Sequence, residues 1–268
     1  MPVVLVSRAG HVATVVLNRP EARNALNPEL IVTLAATWDE LAADDDVRAV
    51  VVTGAEGSTF CSGFDLGTTI PIMTGSRSPE NAFEQAVADD SNLAARATLR
   101  GHDLGKPLVA AVNGHAIAGG FELMLACDLR VVARGVKLGL SEVALGLIPA
   151  MGGTARLARH VPSALAMELL LMAKPVLSDS LETSGLFNRL VDAADVGSVA
   201  HEFAGVIAAN APLAVAAARS VVRASSDLSE REALELEMAE SNRLAATDDA
   251  REGPAAFMEK RAPRFTGR

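Results

Sequence analysis

The sequence predicts an α/β fold, and three observations carry that prediction. A pair of β-rich runs opens the chain at residues 3–6 and 12–17. Short apolar runs recur at 49–54, 108–112 and 129–133, the latter two leading through glycine-containing turns into helical stretches. From about residue 197 onward the pattern is helical only. Alternation of strand and helix implies a partly parallel sheet, and a short, continuously apolar run suits a strand covered on both faces.

Taken in order, the two opening runs flank Arg8-Ala9-Gly10-His11 and read as a hairpin. A helix follows, with Pro28 suited to its first turn. Its apolar positions Leu30, Ile31, Leu34, Trp38 and Leu41 recur at helical spacing before the acidic stop Asp44-Asp45-Asp46. The next strand is Ala49 to Gly54. Residues 67–79 are rich in Thr, Ser, Gly and Pro without periodicity, and predict a mobile surface loop of the kind that covers ligands. Charges crowd between Glu230 and Glu252, so the last quarter reads as a separate helical module. At 268 residues one large domain with a small appendage is expected, and we divide the chain into 1–196 and 197–268.

Composition narrows the function. Half the residues are hydrophobic, yet 3% are aromatic and none is Tyr, so the core must be aliphatic and one usual general acid is missing. A net charge of −9 argues against a nucleic-acid partner, so a phosphate-bearing ligand would need a local basic patch. The two cysteines, Cys61 and Cys127, give neither a disulfide framework nor a zinc pattern, and both read as buried thiols. The N-terminus shows no secretory pattern. Apolar stretches such as 163–173 are interrupted and fall short of the roughly 20 residues of a bilayer span. A soluble, cytoplasmic protein with no membrane partner is expected.

Four segments hold glycine beside a polar group. Phe60-Cys61-Ser62-Gly63-Phe64-Asp65-Leu66 follows a strand and a turn, where a backbone amide could be exposed. In Asn113-Gly114-His115-Ala116-Ile117-Ala118-Gly119-Gly120-Phe121-Glu122, two glycines open an apolar helical run. Amides at such a helix start lack intrahelical partners and favour negative charge. The same glycines would equally allow close packing of helix on strand. The third segment runs from Leu140-Ser141-Glu142 through Pro149-Ala150-Met151-Gly152-Gly153. Glu122 and Glu142 both lie in apolar stretches, which fits acid/base chemistry, and on the residues alone fits slightly better a wet cleft or pairing with an arginine such as Arg130 or Arg156. The fourth, Asn18 to Asn27, is by itself a polar loop.

In this order the four segments resemble the enoyl-CoA hydratase/isomerase (crotonase) family, and the likeness runs from about residue 3 through Phe257-Met258-Glu259-Lys260-Arg261-Ala262-Pro263. The resemblance implies a β-β-α spiral core with a helical C-terminal trimerisation region, assembled as a homotrimer or a hexamer. It implies an acyl-CoA thioester substrate, with no cofactor beyond the coenzyme A of that substrate and no metal. The backbone amides of Phe64 and Gly119 fall on the oxyanion-hole positions, and Glu122 and Glu142 on those of the two catalytic acids. Arg23, Ala25, Leu26, Ser62, Gly63, Asp65 and Leu66 fall on the CoA-binding part, with Phe257 and Lys260 as weaker candidates toward a neighbouring subunit's CoA. Retention of both acids favours hydration over isomerisation. Pro149-Ala150-Met151-Gly152-Gly153 departs from the commoner Pro-Gly-Ala-Gly-Gly, which leaves acyl identity open. His115 reads as structural or loop-solvated, and Asp128 and Arg130 as backbone-orienting residues or an internal pair.

Overall fold

The computed structural model describes residues 1–57 and 59–268. β1 (Val4–Ala9) and β2 (Val12–Leu17) form an antiparallel hairpin in which Ala9 faces Val12, so the turn is Gly10-His11 alone and shorter than the sequence predicted. Gly10 supplies the φ of +57° that a two-residue connection requires. α1 (Pro28–Ala43) starts at Asn27, whose side chain accepts from the Leu30 amide at 2.9 Å, and ends at Asp44 as the sequence predicts. Its apolar stripe is buried from Leu30 to Leu41, and the Trp38 indole donates to the Ala97 carbonyl at 3.0 Å.

β3 (Ala49–Gly54) continues the sheet in parallel to β2. Residues 67–79 are not loop throughout. Thr69–Met73 form α2, because Thr69 and Ile72 find buried places that the local composition does not announce. α3 (Ala82–Asp89) and α4 (Leu93–Ala97) then pack on α1. β4 (Leu108–Val112) is buried at every position. After β5 (Ala116–Ile117), α5 (Gly119–Ala126) is buried along its whole length, as a helix that is apolar all round except at Glu122 must be. β6 (Leu129–Ala133), β7 (Lys137–Gly139), α6 (Gly153–His160), α7 (Ser163–Leu171), β8 (Val176–Leu177) and β9 (Arg189–Val191) complete the core. The main sheet has the order β1-β2-β3-β4-β6-β9, parallel except for the hairpin, and β5-β7-β8 form a second, smaller sheet.

α8 (Val196–Ala209) lies on β2, β3, β4 and β6, burying Val196, Ala200, Ala204 and Ala208 at a spacing of four. Alanines along that stripe let the helix approach the sheet closely. α9 (Pro212–Ser225), α10 (Glu230–Ala245) and α11 (Asp248–Glu259) lie outside the core, and no α10 residue is buried. A capping box between Ser229 and Glu232 supports α10 from its own sequence. Among the described residues no single helix is long and apolar enough to cross a bilayer. α8 and α9 reach that length and composition only together, across a bend of 111°. Asp128 and Arg130 are not a pair: Asp128 accepts from the Leu108 amide and bridges Arg219 and Arg223, because α9 brings two arginines closer to it.

Candidate active site

The first wall of the site is the segment after β3. Cys61 bridges Ala116 and Phe64 bridges Leu26, each as a single parallel pair. The Leu26 amide donates to Gly63 at 2.8 Å and the Asp65 amide to Leu26 at 3.2 Å, so residues 62–66 are sewn to 23–26. The loop is fixed by Asn24, which sequence reasoning passed over. Fully buried and left-handed at φ +53°, it donates to Thr59 and Phe60 carbonyls and accepts from the Arg19 amide. Asn is one of the few residues that tolerate this conformation, which is the signal that was available.

Gly63 has φ +94°, and a Cβ there would stand 2.8 Å from Ala118 Cβ and 3.2 Å from the Gly119 nitrogen. A Cβ on Gly119 would stand 2.9 Å from the Phe64 ring. The glycines therefore serve close packing, and the same packing brings the Phe64 and Gly119 backbones together. Among the described residues neither of these two N–H groups donates a hydrogen bond. Ala118, the residue before α5, holds φ 50° and ψ −126°, a conformation costly without glycine. Its amide donates to Gly139 and its carbonyl accepts from Glu122, which holds it in place.

Glu122 is 1% exposed and does not pair with Arg130 or Arg156. Its Oε1 accepts from the Met151 and Gly153 amides at 2.7 and 2.8 Å. Burial pushes its pKa up to about 7, and the nearby Glu142 charge adds to the rise against the lowering by the two amides and Arg156. A Cβ at Gly153 would lie 2.9 Å from Glu122 Oε1, so only glycine brings that amide to the carboxylate. Arg156 steadies the loop from behind, donating to the carbonyls of Leu99 at 2.6 Å and Met151 at 3.4 Å. Neither contact is legible from spacing.

Glu142 opens a 3₁₀ turn over Glu142–Leu145 and is half-buried, with Oε2 enclosed and without a partner among the described residues. Burial raises its pKa, opposed by its own and the Ser141 amide. Phe64 packs on Ala94, Ala95 and Met151, a small apolar patch beside the two amides.

The other predicted residues divide. Ser62 and Ala25 are half-buried, Gly63 and Leu26 buried, and Leu66 exposed. The Asp65 carboxylate is committed to its own turn, accepting from Gly67 and Thr68, with Arg19 3.5 Å away. Exposed Arg23 lines a cavity of about 350 Å³ with Pro20, Gly57, Thr59, Gly114 and His115. His115 is exposed and its Nδ1 accepts from the Lys137 amide, a structural contact. Phe257 and Lys260 stand exposed at the end of α11. Cys61 and Cys127 are buried free thiols, each pushed by burial to a pKa of about 12. Two amides without an acceptor among the described residues, beside two acids with raised pKa values, can hold developing negative charge on an oxygen and move protons next to it.

The model of the family described as enoyl-CoA hydratase/isomerase matches residues 7–268. Enoyl-CoA hydratase EchA19 of Mycobacterium tuberculosis is 38% identical over 267 residues, covering 100% of this chain and 97% of the relative. (E)-Benzylidenesuccinyl-CoA hydratase of Thauera aromatica is 34% identical, with 100% of each chain covered. Among solved structures, enoyl-CoA hydratase from Bacillus anthracis superposes with a TM-score of 0.89 at 31% identity, covering 99% of this chain and 100% of that one.

Proposed function

The chain belongs to the enoyl-CoA hydratase/isomerase (crotonase) family, and from that premise we propose that it is an enoyl-CoA hydratase, adding water syn across the double bond of a 2-enoyl-CoA thioester. The observation that carries this reading is the pair Glu122 and Glu142, both with raised pKa, beside the Phe64 and Gly119 amides, which donate to no acceptor among the described residues. The thioester oxygen sits between the two amides, which strengthen their hold as it gains enolate charge. One such donor is typically worth about 3 kcal/mol in the transition state. Glu122, oriented through Oε1 by the Met151 and Gly153 amides, keeps Oε2 to position and deprotonate water toward C3. Glu142 delivers the proton to C2.

The segments 23–26 and 62–66 hold the adenine and pantetheine portions of CoA, largely through backbone groups, and Arg23 meets a phosphate at the rim. Asp65 acts there by shaping its turn rather than by touching the ligand. The acyl group runs along Ala94, Ala95 and Met151, so Met151 is where this chain sets acyl preference. Residues 1–196 carry the site and 197–268 the trimerisation region, whose first helix is itself seated on the sheet.

The test follows enoyl-thioester absorbance with crotonyl-CoA and longer 2-enoyl-CoAs, wild type against Glu142→Gln. Turnover that collapses in the variant while CoA-ester binding persists is the expected result. Equal rates in both, or binding without turnover across the panel, would reject hydration in favour of another reaction of the family or a noncatalytic acyl-CoA binder.

A further inference from the structure

Arg130, Arg156, Arg159, His160, Arg219 and Arg223 line a cavity of about 710 Å³ at the C-terminal end of α5, between the start of β6, α6 and α9. Such a gathering of cations in a chain of net charge −9 needs an account. Local acids neutralise only part of it. Asp128 bridges Arg219 and Arg223 at 2.8 and 2.9 Å, Asp103 takes a second contact from Arg219 at 2.7 Å, and Asp227 pairs with Arg159 at 2.6 Å. Arg156 is spent on the Leu99 and Met151 carbonyls.

Arg130 is left over. It is 7% exposed, and its Nε and Nη1 are enclosed without a hydrogen-bond partner among the described residues. A guanidinium taken out of water without an acceptor is among the costliest groups to bury. Its surroundings sharpen the point: burial first, and then Arg130, Arg156 and Arg223, press the His160 pKa down to about 4, so the histidine stays neutral and offers no charge of its own at neutral pH. Much of the rest of the wall is apolar, formed by Leu125, Leu129, Val215 and Val222 among others.

We infer that this cavity binds an organic anion, with a carboxylate or phosphate head on Arg130 and an apolar body against Leu125, Leu129, Val215 and Val222. Nη2 is not among the enclosed nitrogens, so a two-oxygen head meets it together with the neighbouring Nε or Nη1 and gives an orphaned donor its acceptor. A guanidinium matches the planar geometry of such a head better than an ammonium does. The site is separate from the acid pair, lying at the other end of α5, and of its five lining arginines Arg156 alone, among the described residues, also touches the loop that orients Glu122. It stands whether or not the chain hydrates enoyl thioesters.

Calorimetric titration of the full chain tests the site, with octanoate as probe and inorganic phosphate as a head group without a body. Octanoate is expected to bind the wild type, more tightly than phosphate, and about tenfold or more weaker to Arg130→Met, with Arg130→Lys in between. Arg130→Met should fold and melt no lower than the wild type, since it removes an unpaired buried charge without opening a cavity. Octanoate binding that is unchanged in Arg130→Met, or absent from the wild type, overturns the inference. So does a shift in assembly mass by light scattering in Arg130→Met when neither anion binds, because Arg130 would then serve a carboxylate of a second copy of this chain.

Discussion

Glu122 makes stability and activity compete at one side chain. Burial raises its pKa from 4.5 to about 7, so the folded state holds its proton more tightly than the unfolded chain. The penalty of ionising it is absent below pH 4.5, grows as pH rises toward 7 and is complete above it, amounting to about 3 kcal/mol at most. Glu122→Gln keeps an oxygen for the Met151 and Gly153 amides but carries no charge to bury. We predict that it melts higher than wild type at pH 8 and indistinguishably at pH 4.5, while losing hydration activity by about two orders of magnitude or more. Thermal melts across pH, with rates alongside, check both halves. The rate itself should rise with pH through about 7 as Glu122 ionises, a limb absent from Glu122→Gln. Gly119→Pro deletes one of the two free amides. Its expected cost is about 10² to 10³ in kcat, read against CoA-ester binding to separate lost chemistry from lost fold.

Elements are where the sequence spoke most clearly. The periodic stripe of α1 and the apolar runs of β3, β4 and β6 stand where their patterns place them, because each is a long or almost wholly buried signal with its own start and stop. Trp38 is the test of that core. Trp38→Ala should cost about 3 to 5 kcal/mol by denaturant titration, from the cavity and from the Ala97 carbonyl left without its donor. Residues 67–79 were misread for the opposite reason. α2 is one short turn whose burial depends on partners distant in sequence, and nothing local signals them. The site shows the same divide. Its glycines and acids are visible as residues, and the resemblance to a family orders them. That Met151 and Gly153 aim their amides at Glu122, that Asn24 pins the loop, and that Asp128 turns to α9 rather than to Arg130 are facts of packing between segments, which no spacing encodes.

At the scale of the whole molecule, the outer helices leave apolar side chains facing solvent in the single chain: Leu234, Met238, Phe257 and Met258 are all exposed. An apolar surface of that kind is normally covered by association. Light scattering should give a mass three or six times that of the chain, and a monomer would remove the proposed trimerisation role of residues 197–268. The join between the two walls of the site has its own consequence. Those walls are united by two single-pair bridges, Leu26 to Phe64 and Cys61 to Ala116, whereas the sheet beneath is laced by continuous ladders. A seam of short, single-pair contacts, held by five backbone hydrogen bonds, opens at lower cost than the continuous ladders. The amides of residues 62–66 should therefore exchange with deuterium early, those of β3 and β4 late, and a CoA thioester should slow the first group alone. The site should open locally on a framework that stays closed.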